Sequence, residues 1–256
     1  MIVEMQSAAY LAEVEKMLGL NGLSPETVGA LSEPQILFLT EQYRSAPVRV
    51  MVVGQETAGI EVPLANTAVE GVDSLLERQR KDFISFDYNK HYSTGPFWRG
   101  YDEVCTAFGL TSRRAAAWTN ISKVQLYDGK GGSVSIEGLA AEARMEIIRW
   151  QRAMARAEIE YAKPDVIVHF TGRMRWVAGH LYGTDHKRPD VIYHQIDGAG
   201  DVTGHMTAPF LGDTIAVYTY HPAGGRTSEA KTRTSNERRL ALEWAVRRLS
   251  ERGPQP

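Results

Sequence analysis

Three polar exits from apolar runs hold the side chains of this sequence best suited to chemistry. Val48-Arg49-Val50-Met51-Val52-Val53-Gly54 leads into Gln55 and Glu56, Ala115-Ala116-Ala117-Trp118-Thr119 leads into Asn120, and the run from Thr214 to Tyr220 leads into His221. A carboxylate, a carboxamide and an imidazole can between them orient a water, read a donor and acceptor edge, and share a proton. Each also has a plainer explanation: Gln55 and Glu56 as a solvated loop, Asn120 as the cap of a turn, His221 as a structural residue.

The elements that must position these groups follow from hydrophobic patterning. Val50 to Val53 is a continuous, mostly β-branched run, the pattern of a strand buried on both faces. Asp165 to Phe170, Val191 to Ile196 and Thr214 to Tyr220 read as further strands. Helices are expected over Phe97 to Phe108, over Ile136 to Tyr161, from Thr171-Gly172-Arg173 to about Tyr182, and from about Ser235 to Glu251, with Leu64 to Lys81 partly helical. In the second of these, Leu139, Ala143, Ile147, Trp150, Met154, Ala157 and Tyr161 recur at steps of three and four, which marks one amphipathic face. Strands alternating with helices predict an α/β domain, residues 47–252, with a central mostly parallel sheet flanked by helices. Open sheets of this kind place ligands at the carboxyl ends of their strands, where the three exits would meet. Residues 1–46 read as a helical N-terminal extension, with helices over Ser7 to Leu18 and Pro25 to Arg44, Pro34 as a break point and no visible function. The aromatic segment from Phe83 to Trp98 either plugs a core edge or offers stacking faces to a planar ligand.

Composition narrows the class. With 256 residues, 43% hydrophobic and 23% charged, the chain reads as one soluble globular domain, and no apolar run approaches the roughly 20 residues of a membrane helix. The amino-terminal residues lack a secretory pattern, so a cytoplasmic location is expected. A single cysteine, Cys105, excludes intrachain disulfides and cysteine-ligated clusters. His91, His169, His180, His186, His194 and His205 show no short ligand spacing on one helix face, so no metal is expected. The net charge of −2 means that attraction to nucleic acid must come from a local basic face. The run after Arg226 (Lys231, Arg233, Arg238, Arg239, Arg247, Arg248 and Arg252) is either such a face or a solvated helix surface.

In order and spacing, the exits resemble the motifs of the uracil-DNA glycosylase superfamily. Family members run from a first strand into Gly-Gln-Asp-Pro-Tyr-His or Gly-Glu-Ala-Pro-Gly, from a middle strand into Asn, and from a late strand into His-Pro-Ser. The corresponding stretches here are Gly54-Gln55-Glu56-Thr57-Ala58-Gly59, Thr119-Asn120-Ile121-Ser122-Lys123 and Tyr220-His221-Pro222-Ala223-Gly224-Gly225. Thr94-Gly95-Pro96-Phe97-Trp98-Arg99 is similar to the family segment that presents an aromatic to a flipped base. The resemblance spans roughly Val48 to Leu249. Departures are Glu56 where the best-known branch has Asp, Thr57 in place of Pro, and Ala223-Gly224-Gly225 in place of Ser-Pro-Leu.

The resemblance implies a three-layer α/β/α fold and a monofunctional DNA glycosylase without cofactor, acting as a monomer on single- or double-stranded DNA. Breaking a nucleoside C–N bond leaves positive charge on the sugar and negative charge on the departing base. It assigns Glu56 to the water and the cationic sugar, and His221 to the base oxygen. Gln55, Ala58, Phe97 and Asn120 would bind the base, and Lys123, Arg226, Lys231 and Arg233 the DNA. Ala58 stands where uracil-specific members carry a Tyr that walls off C5, which predicts room for uracil or for a 5-substituted pyrimidine such as those of phage DNA. Two alternatives use the same residues: a DNA-binding protein that has lost hydrolysis, and a hydrolase of free nucleosides or nucleotides.

Overall fold

The computed structural model describes residues 6–19, 22–56, 60, 62–86, 95–127, 134–171, 191–224 and 227–253. Ala58, Arg226 and the helix expected after Thr171 lie outside these residues, as does the side chain of Glu56. The expected sheet is present with six strands: β1 (Val50–Glu56), β2 (Ala116–Ser122), β3 (Val166–His169), β4 (Ile192–Gln195), β5 (Gly204–Thr207) and β6 (Ile215–Tyr218). Their order is β2-β1-β3-β6-β5-β4. The first four neighbours are parallel, and β5 and β4 extend the sheet antiparallel beyond β6. Continuous burial of Val50, Met51, Val52 and Val53, and of Val166, Ile167 and Val168, is what an apolar run covered on both faces requires.

Helices supply the two covering layers. On one face, Met51, Val53, Ala117, Ile121 and Ile167 pack against α1 (Ala8–Leu18), α5 (Val72–Ser85) and α7 (Ala141–Ala162). On the other, Val50, Val52, Ala116, Val166, Val168 and Val217 pack against α6 (Pro96–Ala107) and α8 (Ser228–Glu251). The short helices α2 (Pro25–Gly29), α3 (Glu41–Arg44) and α4 (Leu64–Glu70) complete the set among the described residues. The chain between α4 and α5 turns at Gly71, whose φ of 87° is open to glycine at little cost.

In the first 46 residues the helix expected over Ser7 to Leu18 is present as α1, whereas the one expected over Pro25 to Arg44 is only the two short helices α2 and α3. Tyr10, Val14 and Met17 are buried in the same core as the sheet, so this segment completes the α7 layer. Pro34 removes a helical donor, and the chain around it pairs instead with the segment that follows β2, Leu31 bridging to Leu126. There Ser32 N–H donates to Gln125 O at 2.9 Å and Gln35 N–H to Lys123 O at 2.9 Å. β2 ends the sheet, and an edge strand needs partners for its outward backbone groups; the Gln35 side chain supplies one, accepting from Asn120 N–H at 3.1 Å.

Candidate functional site

Residues at alternate positions of a strand share a face, so Val50, Val52 and Gly54 of β1, with Ala116, Trp118 and Asn120 of β2, line the α6 side of the sheet. Gly54 pairs with Asn120 across the β1–β2 register. Its missing side chain is what makes the site: a Cβ there would lie 2.1 Å from Asn120 Oδ1 and 3.3 Å from the Phe97 ring. The sheet surface at Gly54 is therefore occupied by a carboxamide and an aromatic side chain from two other elements.

Phe97 opens α6 behind Gly95 and Pro96, a proline in the first turn where no backbone donor is needed. Its ring is half-buried and packs at 6.1 Å between centroids on Phe170, 6.0 Å on Trp118 and 6.2 Å on Tyr101. Phe86 and Trp98 join the same cluster. The described part of the aromatic segment therefore plugs the edge of the core, and it also leaves one ring, Phe97, at the site. The His221 imidazole lies 6.1 Å from that ring with 27° between the planes.

His221 follows β6, and close packing behind it fixes its position. A Cβ on Gly100 of α6 would lie 2.3 Å from Pro222 Cγ, so the glycine lets the His-Pro turn seat directly on the helix. The imidazole Nδ1 accepts a hydrogen bond from Ala223 N–H at 3.1 Å. A ring nitrogen that accepts carries no proton, so a neutral His221 bears its proton on Nε2 and offers it as a donor. Burial pushes the imidazole below its ordinary value of 6.5, and the nearby Arg238 guanidinium adds to the effect. Arg238 is itself held by Glu103 at 2.8 and 3.0 Å.

A histidine with a depressed folded pKa contributes stability that is complete above its unfolded value and is lost as pH falls through the folded one. The His221 ring should therefore titrate with a midpoint below 6.5. Observation of the imidazole resonances over a pH series checks this. A midpoint at or above 6.5 would contradict the geometry.

Asn120 is 6% exposed and is held from outside the sheet. Both its backbone N–H and its side-chain Nδ2 donate to Gln35 Oε1, at 3.1 and 2.9 Å. Gln55 turns its side chain to the neighbouring strand exit, donating Nε2 to Thr171 O at 2.9 Å. The buried Thr171 hydroxyl beside it has no hydrogen-bond partner among the described residues. Glu56 ends β1 opposite Ser122. Lys231 and Arg233 are exposed in the first turns of α8, and the Arg233 guanidinium sits 6.0 Å from the centre of the Tyr220 ring. Asn120 and Phe97 thus meet over Gly54, and His221 lies on the Phe97 ring, with Gln55 next to Gly54 along β1.

Lys123 does not join them, which corrects its expected place on DNA. Its side chain is 1% exposed, and the ammonium pairs with Glu158 of α7 and with Thr119 Oγ1. Glu158 Oε1 accepts in turn from the Tyr10 hydroxyl at 3.2 Å. Burial opposes charge on both partners, lowering Lys123 and raising Glu158, and their contact offsets it. This cluster fastens the chain after β2 to α7 and α1. Much of the carboxyl-terminal basic run is also paired on the protein itself, Arg238 with Glu103, Arg239 with Glu243 and Arg248 with Glu251.

Gly54→Ala tests the close approach. The methyl would meet Asn120 Oδ1, so the carboxamide and ring must move, at a cost of about 1–3 kcal/mol in stability. Ligand binding should fall more steeply than stability, as read by equilibrium unfolding beside a binding titration. Unchanged binding in a stably folded variant would count against a site over Gly54.

A groove of about 920 Å3 lined by Arg44, Arg149, Arg152, Arg156 and Lys163 opens at the opposite end of the sheet. Its Arg44 serves structure, donating to the carbonyls of Ala162 and Tyr161 at 2.9 and 2.8 Å. Among the described residues no cluster of His, Cys, Asp or Glu could hold a metal ion, and no helix is long and apolar enough to cross a membrane. No protein-family model matches the chain, and no curated protein matches it.

Proposed function

We propose that this chain is a DNA glycosylase that flips a pyrimidine out of DNA and hydrolyses its N-glycosidic bond, leaving an abasic site. The supporting observation is a carboxamide and an aromatic ring over Gly54, with an imidazole packed against that same ring, at the carboxyl edge of parallel strands. A flipped base needs those three things: a face to stack on, an edge reader and a donor for its developing negative charge.

In this reading the bond between the sugar C1′ and the base nitrogen breaks, and its electron pair leaves with the base. His221 Nε2–H donates to the base oxygen on which that charge gathers. A neutral donor keeps its proton through the step, which suits a site that lowers the imidazole pKa. Glu56, at the end of β1, is assigned to stabilise the positive sugar and to hold the water whose oxygen bonds C1′, taking from it the proton that finally neutralises the departed base. Phe97 stacks on the base and Asn120 reads its edge. Lys231 and Arg233 contact phosphates at the mouth, and Arg226 fills the gap in the duplex, so binding weakens with salt.

The base is uracil or a pyrimidine with a C5 substituent, since Ala58 replaces the tyrosine that excludes such groups in uracil-specific relatives. Release of uracil should be compared with release of 5-hydroxymethylated and glycosylated bases, in wild type and in Ala58→Tyr. Selective loss of the 5-substituted bases in the variant is the expected result. Wild-type preference for uracil over every 5-substituted base, unaffected by Ala58→Tyr, would exclude the wide pocket.

A further inference from the structure

We infer that Gln35 is a positioning residue that locks the Asn120 carboxamide with its carbonyl oxygen turned to the site, so that the site discriminates between bases by their edge hydrogen-bonding pattern. The selectivity follows from the proposed glycosylase reading, whereas the lock itself belongs to the unliganded protein.

Which atoms can donate fixes both amides. Asn120 backbone N–H is a donor whatever the side chains do, and the Gln35 side-chain atom 3.1 Å from it must therefore be the oxygen. The same oxygen lies 2.9 Å from a terminal atom of the Asn120 side chain, which must be the nitrogen Nδ2. Both amide orientations are thereby settled by one fixed donor. The remaining terminal atom of Asn120, Oδ1, is the one over Gly54.

An asparagine free to turn about its last bond offers a donor or an acceptor with equal ease, and it reads complementary edges alike. With Nδ2 tied behind it, Asn120 meets the site with an acceptor. A base that places an N–H there gains a hydrogen bond, and one that places a lone pair there meets repulsion in a partly dry site. Uracil-type and cytosine-type bases exchange donor and acceptor at ring N3 and at the neighbouring exocyclic group, so the lock favours one of them over the other. Gln35 is itself held in place, since its backbone N–H donates to Lys123 O at 2.9 Å. It belongs to the segment that pairs with the chain following β2, ahead of every family-like motif.

The test compares Gln35→Met, which keeps length and removes the acceptor, with Gln35→Glu, whose carboxylate still accepts from both donors. The Asn120 side-chain NH2 resonances of the free protein report the lock without any activity, through their shift and their protection from solvent exchange. Competition between uracil- and cytosine-containing DNA carrying the same C5 group reports its use. We expect Gln35→Met to lose the protected Asn120 signal and to shrink the wild-type ratio of release between the two base types about tenfold, the worth of one directional hydrogen bond. Gln35→Glu should keep both the signal and the ratio, whatever its overall rate. An unchanged Asn120 signal and an unchanged ratio in folded Gln35→Met would overturn the inference, as would loss of both in Gln35→Glu. If wild type releases no base at all, the glycosylase reading fails while the NH2 signals still decide the lock.

Discussion

His221→Ala is expected to slow base release by about 10²–10⁴-fold while leaving the fold intact. The imidazole is half-buried, and among the described residues its hydrogen bond is the local one from Ala223 N–H at 3.1 Å. Losing it removes a donor and little core packing, so thermal melting should shift far less than the rate. Glu56→Gln should show a comparable defect, because the proposed reaction sets the two residues against opposite charges of one transition state. The check is single-turnover base release at saturating DNA, together with binding affinity. A slow variant that still binds DNA supports a chemical role, whereas a wild-type rate in folded His221→Ala removes His221 from the mechanism.

Lys123→Met should destabilise the protein by about 3–5 kcal/mol, because it strands the Glu158 carboxylate without a cation in the core. Glu158 is 1% exposed, and its remaining partners are the hydroxyls of Thr119, at 3.1 Å, and Tyr10. Replacing both charges, in Lys123→Met with Glu158→Leu, should restore much of the loss, since two buried ions give way to apolar contacts. Urea unfolding of the two single variants and the double variant measures the coupling. Lys123 on DNA would give the opposite pattern: stability near wild type, and affinity lowered with a shallower salt dependence.

The parallel part of the sheet was legible because β1, β3 and β6 are apolar runs with one physical explanation, burial on both faces. β5 was not, because Gly204-His205-Met206-Thr207 is short and mixed. It exists as a strand only because β6 and β4 flank it. The three exits could be read from the ends of apolar runs, and the structure brings Asn120 and His221 together with Phe97. Gln35 could not be read, since its hydrogen bonds to Asn120 span 85 residues. A weak signal did exist: a polar residue directly before the apolar run Ile36-Leu37-Phe38-Leu39. Lys123 was misplaced for a related reason. A lysine just past a strand looks exposed, and its partner Glu158 lies 35 residues away in α7. The clue was Glu158 itself, a carboxylate between Met154 and Tyr161 on the stripe that the helix buries.

The central claim is that the site over Gly54 releases a pyrimidine from DNA. Mass spectrometry of the bases set free from a panel of DNAs, plain, uracil-containing and hypermodified, tests it most directly when wild type is run beside Glu56→Gln and His221→Ala. The account predicts one free pyrimidine, an equal number of alkali-labile abasic sites, and loss of both signals in the two variants. DNA bound without any base released, or a base released equally by all three proteins, would contradict it.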